Sequence, residues 1–266
     1  MSGVGAVLAK TRAQGRAALV GYLPVGFPDV QGSIDAMVAM VGAGVDIVEI
    51  GVPYTDPLMD GPVIAHAAEV ALKGGTRLND VFTAVRAVAD TGTPALVMTY
   101  WNPVLRYGVD RFADDLAEAG GAGLITPDLI PDEGAEWIAA AERNDLDRIF
   151  LVAPSSTPQR LRSTTLACRG FVYAASTMGV TGARTAVGDT AEVLVARIRL
   201  LTESPICVGL GVSTGAQAAQ VAAFADGVIV GSALVRCLTD DGSREEGISA
   251  IRDLSAELAA GVRGGC

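Results

Sequence analysis

One carboxylate interrupts an aliphatic run: Glu49, between Ile47 and Val52. A strand covered on both faces should be almost continuously apolar. An ionisable group inside one carries a large desolvation cost unless something pairs or uses it. The run breaks at Pro53 into a loop bearing Asp56 and Asp60. Glu49 and Asp60, on a strand and its following loop, form a pair of acids that can face one small molecule and move protons on it. The plain alternatives are a satisfied core carboxylate for Glu49 and a turn or helix-cap acid for Asp60.

The rest of the inventory narrows the chemistry. His66 is the sole histidine and lies in an Ala-rich helical stretch, where it reads as a packing residue. No zinc site built on several histidines is expected, and no metal is assigned to this chain. A Schiff-base lysine must stand at a strand end, but Lys10 precedes the first strand and Lys73 falls in a helix. Cys168, Cys207 and Cys237 read as buried small hydrophobes, and Cys266 as an exposed tail thiol; no CxxC spacing occurs. What remains is proton transfer by carboxylates and phenols, with Glu49 open to an upward pKa shift by burial.

The elements that must hold these groups alternate along the chain. Strands are expected at residues 17–22, 46–51, 95–99, 123–126, 148–152, 170–174, 206–209 and 227–230. Helical patterns lie between them. Ile34, Met37, Val38 and Val41 follow the i, i+3, i+4, i+7 spacing. Thr157-Pro158 reads as an N-cap with Pro at the first helical position, and Thr214 to Gln217 as a capping box. Gly92, Gly120 and Gly121 fall at helix ends. Eight such units point to a (β/α)8 barrel of the TIM type, an α/β fold spanning residues 1–266 as one domain with a short helix before the first strand. The rival, a doubly wound sheet, would want a G-x-G-x-x-G turn after the first strand, and the turn from Leu23 to Pro28 has none.

In a barrel the chemistry sits at the C-terminal strand ends, with phosphate sites commonly after strands seven and eight. Gly209 and Gly211 follow the seventh expected strand, and Gly231 and Ser232 the eighth. Glycines there let backbone N–H groups approach an anion; the alternative is that they only make tight turns. The segment 177–189 after strand six holds three glycines and few large apolar groups and reads as a lid. Tyr100 and Tyr173, at the ends of strands three and six, read as pocket lining.

The chain has 266 residues, half of them hydrophobic, and a net charge of -10 without a basic run. That disfavours nucleic acid or an anionic membrane as partner. The longest apolar runs, such as 227–235, are too short to span a bilayer. The first ten residues lack the basic and apolar regions of a signal peptide. The cytoplasm is the expected location.

Longer motifs carry a resemblance. Glu49-Ile-Gly-Val-Pro-Tyr-Thr-Asp-Pro-Leu-Met-Asp-Gly-Pro62, Met98-Thr-Tyr-Trp-Asn-Pro103, Asp128-Leu-Ile-Pro131, Val152-Ala-Pro-Ser-Ser-Thr157, Gly179-Val-Thr-Gly182 and Asp226-Gly-Val-Ile-Val-Gly-Ser232 stand in this order. In them the chain resembles the tryptophan synthase alpha chain family along almost its whole length. The resemblance implies a barrel that cleaves indole-3-glycerol phosphate to indole and glyceraldehyde 3-phosphate by a retro-aldol route. It implies Glu49 as the acid–base at indole C3 and Asp60 as the carboxylate at the indole nitrogen. Tyr173 would line the site, Thr181 would reach Asp60 on lid closure, and Gly182, Gly211, Gly231 and Ser232 would bind phosphate. A beta chain holding pyridoxal phosphate would complete an α2β2 heterotetramer and take up the indole; this chain would carry no cofactor itself. Asp56, Pro57, Asn102 and Pro131 would face that partner. The chain departs from some members at Thr177, where they have arginine, and in the turn from Pro24 to Pro28. The competing readings are a sugar-phosphate isomerase or epimerase on the same kind of barrel, and a non-catalytic activating subunit.

Overall fold

The computed structural model describes residues 3–176, 184–209, 211–238 and 243–264. Eight parallel strands close into a barrel in chain order: β1 Ala18–Pro24, β2 Ile47–Gly51, β3 Ala95–Met98, β4 Gly123–Thr126, β5 Asp147–Val152, β6 Val172–Ala175, β7 Ile206–Gly209 and β8 Gly227–Val230. The seam is closed by β1 against β8, with Ala18 opposite Gly227 and Gly21 opposite Val230. Each strand lies within two residues of its expected position, because each is a short aliphatic run bounded by polar or glycine-rich turns.

Side chains alternate across the barrel wall, as the period of two in a strand requires. Ala18, Val20, Ile47, Leu96, Ile125, Ile149, Cys207 and Ile229 point inward and share one core. Their neighbours Leu19, Val48, Val97, Leu124, Phe150, Val172, Val208 and Val228 point outward into a second core under the helices. The inner core also takes Val4 and Leu8 from helix α1, Gly3–Ala13. This helix plugs the N-terminal end of the barrel and leaves the opposite end as the mouth.

Local signals decide the helix starts. Thr157 accepts a hydrogen bond from the Arg160 N–H, with Pro158 at the first position. Thr214 likewise accepts from the Gln217 N–H. The expected reciprocal bond is missing there: Gln217 Oε1 accepts from the N–H and hydroxyl of Ser213 instead. The helix Val30–Gly42 forms as its spacing predicts, but Val38 sits on the solvent edge at 39% exposure while Met37 and Met40 fill the core. His66 packs edge-on against the Phe27 ring at 6.2 Å, and Lys10 and Lys73 both lie on helices. Among the cysteines, Cys207 is buried in the barrel core, whereas Cys168 and Cys237 are only half-buried; Cys266 lies outside the described residues.

Candidate active site

The inward parity that places Ile47 in the barrel core also turns Glu49 inward, one layer nearer the mouth. Glu49 is 1% exposed, and its Oε2 has no hydrogen-bond partner among the described residues. Burial pushes its pKa up from 4.5 to about 8. A neutral carboxylic acid near pH 7 can deliver a proton and then take one back.

Tyr22, missed in the sequence, shares this layer. It pairs in register with Glu49 across β1 and β2. A methyl group added at Gly51 would come within 2.3 Å of the Tyr22 hydroxyl oxygen, and one at Gly209 within 2.7 Å of the Tyr173 hydroxyl oxygen. Each tyrosine therefore leans over the glycine that ends the next strand, so both glycines make room for a phenol. Neither hydroxyl bonds a described residue. Both phenols are held well above their ordinary pKa, first by burial and then by nearby groups that include Glu49. The signal for Tyr22 was its even spacing from Ala18 and Val20.

Asp60 is set by Tyr100. The Tyr100 hydroxyl donates to Asp60 Oδ1 at 3.0 Å and accepts from the N–H groups of Leu58 and Met59, both at 3.0 Å. One phenol thus gathers the loop after β2 and fixes its acid. Expected only as lining, Tyr100 is an anchor, standing just before the helix Trp101–Tyr107. Burial raises the Asp60 pKa, and the bond from Tyr100 partly offsets this.

The turns after β7 and β8 differ from each other. Gly211 has φ of +70° with open space where a side chain would go, so its backbone conformation, not crowding, calls for glycine. Gly231 is backed by the Tyr22 ring, which an added methyl would approach to 3.2 Å. Ser232 opens the short helix Ser232–Val235, whose first N–H groups have no intrahelical acceptor. Thr177, Thr181, Gly182 and most of the glycine-rich segment lie outside the described residues; from Arg184 onward that segment is part of the helix Arg184–Arg199.

Asp56 and Pro57 follow β2, Asn102 lies at the start of the helix after β3 and Pro131 follows β4, so all four lie beyond the C-terminal ends of three neighbouring strands. Asn102 Nδ2 donates to the Tyr54 hydroxyl at 3.2 Å, and the Trp101 N–H donates to Asp128 at 2.9 Å. Leu58, next to Pro57, stands out at 77% exposure. A hollow of about 390 Å³ lies between Pro53, Leu78, Pro103 and Tyr107; none of the site residues expected from the sequence lines it.

An acid kept neutral inside a barrel, within reach of an open mouth, is equipped for proton transfer, and so the chain falls among the (β/α)8 enzymes. Comparison with known proteins is more specific. The sequence model of the tryptophan synthase alpha chain matches residues 8–262. The tryptophan synthase alpha chain of Mycobacterium tuberculosis strain H37Rv is 62% identical over 262 residues, covering 98% of this chain and 95% of that protein. The Mycobacterium avium protein of the same name is 63% identical over the same shares. Among solved structures, M. tuberculosis tryptophan synthase superposes with a TM-score of 0.92 at 61% identity, covering 98% of both chains. The alpha subunit from Legionella pneumophila gives 0.90 at 30% identity, covering 99% of both. The chain belongs to the tryptophan synthase alpha chain family, and with it to the enzymes of tryptophan biosynthesis.

Proposed function

We propose that the chain cleaves indole-3-glycerol phosphate to indole and glyceraldehyde 3-phosphate, with Glu49 and Asp60 as its catalytic residues. The observation that carries this reading is Glu49, buried in the barrel lumen with its Oε2 unpartnered among the described residues, where burial raises its pKa. Protonated Glu49 gives its proton to indole C3, and the Asp60 carboxylate balances the positive charge that reaches the ring nitrogen. Glu49, now a carboxylate, takes the proton of the hydroxyl on the adjoining glycerol carbon. The O–H electron pair becomes the second bond of the aldehyde. The pair of the broken carbon–carbon bond returns to the ring and releases indole, and Glu49 ends protonated as it began. Tyr100 and Tyr173 border the bound molecule. Gly182, Gly209, Gly211, Gly231 and Ser232 hold the phosphate, and Thr181 meets Asp60 when the segment 177–189 closes. The reaction takes place in the cytoplasm.

The phosphate assignment has its own test. Gly211→Val forces a β-branched residue into a left-handed conformation, at about 1–2 kcal/mol, and blocks the approach of the anion. Gly211→Asn tolerates that conformation and separates the two effects. Valine is expected to weaken glyceraldehyde 3-phosphate binding in calorimetric titration and lower the melting temperature; asparagine is expected to weaken binding alone. Unchanged affinity in both variants excludes Gly211 from the site.

The same reading makes the chain one half of an α2β2 assembly. Its beta partner binds pyridoxal phosphate and receives the indole. Asp56, Pro57, Asn102 and Pro131 form the contact, supported by the exposed Leu58 on the loop that bears Asp60. A partner that prefers the ordered form of this loop raises the fraction of molecules with Asp60 in place. Indole release from indole-3-glycerol phosphate is expected to be slow for the chain alone and faster with saturating beta chain. Equal rates at matched substrate saturation exclude the coupling, and no indole in either arm excludes the cleavage.

A further inference from the structure

Tyr22 spans the two halves of the mouth. Its ring lies against Gly231 in the turn after β8, and its hydroxyl reaches over Gly51 at the end of β2, two residues beyond Glu49. A ligand with phosphate at the late turns and an aromatic ring between Glu49 and Asp60 must run its connecting chain beside this side chain. The hydroxyl makes no bond to a described residue, although Tyr22 is only 9% exposed. A polar group so placed is available to a ligand.

We propose that the Tyr22 hydroxyl donates a hydrogen bond to the glycerol oxygen that becomes the aldehyde oxygen, stabilising the negative charge that builds there as its proton passes to Glu49. The inference rests on the cleavage proposed above. Tyr22 keeps its own proton throughout: burial, with the charges of Asp60 and Glu49, holds the phenol un-ionised, so it acts as a donor and never as the base. The bond is stronger to the developing alkoxide than to the neutral hydroxyl, so it assists the chemical step more than binding.

Tyr22→Phe keeps the ring against Gly231 and deletes only the oxygen. Single-turnover and steady-state rates of indole release, with saturating beta chain, are to be compared with wild type. The expected result is a fall in kcat of about 100-fold, with a smaller change in KM. Binding of 3-(indol-3-yl)propyl phosphate, which lacks the glycerol hydroxyls, is expected to stay within twofold of wild type, and the melting temperature to be unchanged. A kcat within twofold of wild type overturns the assignment while leaving the cleavage itself intact. Loss of analogue binding as large as the loss of kcat also overturns it, since that marks a packing role. A wild-type enzyme that releases no indole removes the cleavage and this inference with it.

Discussion

Glu49→Gln is expected to lower indole release by about 100- to 10,000-fold while the substrate still binds, because the amide keeps the shape of the acid and cannot pass a proton. Turnover within a few-fold of wild type would remove Glu49 from the chemistry. The same substitution should change stability in a pH-dependent way. The native carboxyl holds its proton up to about pH 8, whereas the unfolded one releases it near 4.5. Below pH 4.5 both states are protonated and the group has no effect. Between 4.5 and 8 the native state is progressively penalised, and above 8 the penalty is complete, on the order of 5 kcal/mol. Glutamine does not titrate. The variant should therefore gain on the wild type in denaturant melts as pH rises from 4 to 8, and parallel curves would show that Glu49 is ionised in the fold. Activity should fall in the wild type as pH rises through about 8, where the acid needed for the first step is lost.

Asp60→Asn is expected to reduce kcat by about 100-fold or more, since an uncharged amide cannot balance a cationic ring in a site of low dielectric. KM should change little if the charge matters only as the cation forms. Tyr100→Phe is the informative companion. It removes the donor to Asp60 and the acceptor for Leu58 and Met59 but leaves the carboxylate, and should fall between wild type and Asp60→Asn. A crystal with a substrate analogue in which Asp60 stands beyond hydrogen-bond reach of the ring nitrogen would rule out the assigned role.

The parts of this arrangement written in local sequence were legible. Eight aliphatic runs gave the strands, and a lone carboxylate in one of them marked Glu49 through the cost of burying it. The rest depends on closure. Tyr22 reads as one more large residue in β1 until pairing with β2 and β8 sets it beside Glu49 and Gly231. Tyr100 reads as lining because its bond to Asp60 crosses forty residues of chain. At Thr214 only half of the capping box forms, since Gln217 Oε1 accepts from the N–H and hydroxyl of Ser213 instead. Such competitions between neighbours are decided by geometry that residue types alone do not carry.

The plug at the foot of the barrel sets an order on folding. Helix α1 is the first described element to be synthesised, yet Val4 and Leu8 share their core with residues as late as Cys207 and Ile229. Their seat does not exist until the β1–β8 seam is made, the pairing with the greatest separation along the chain. Loop-closure entropy must be overcome before that contact returns anything. The nascent chain thus carries an uncovered apolar helix through nearly all of translation, an adhesive end in search of its site. Deleting α1 should therefore ease early aggregation on the ribosome and yet leave the finished barrel open at its base.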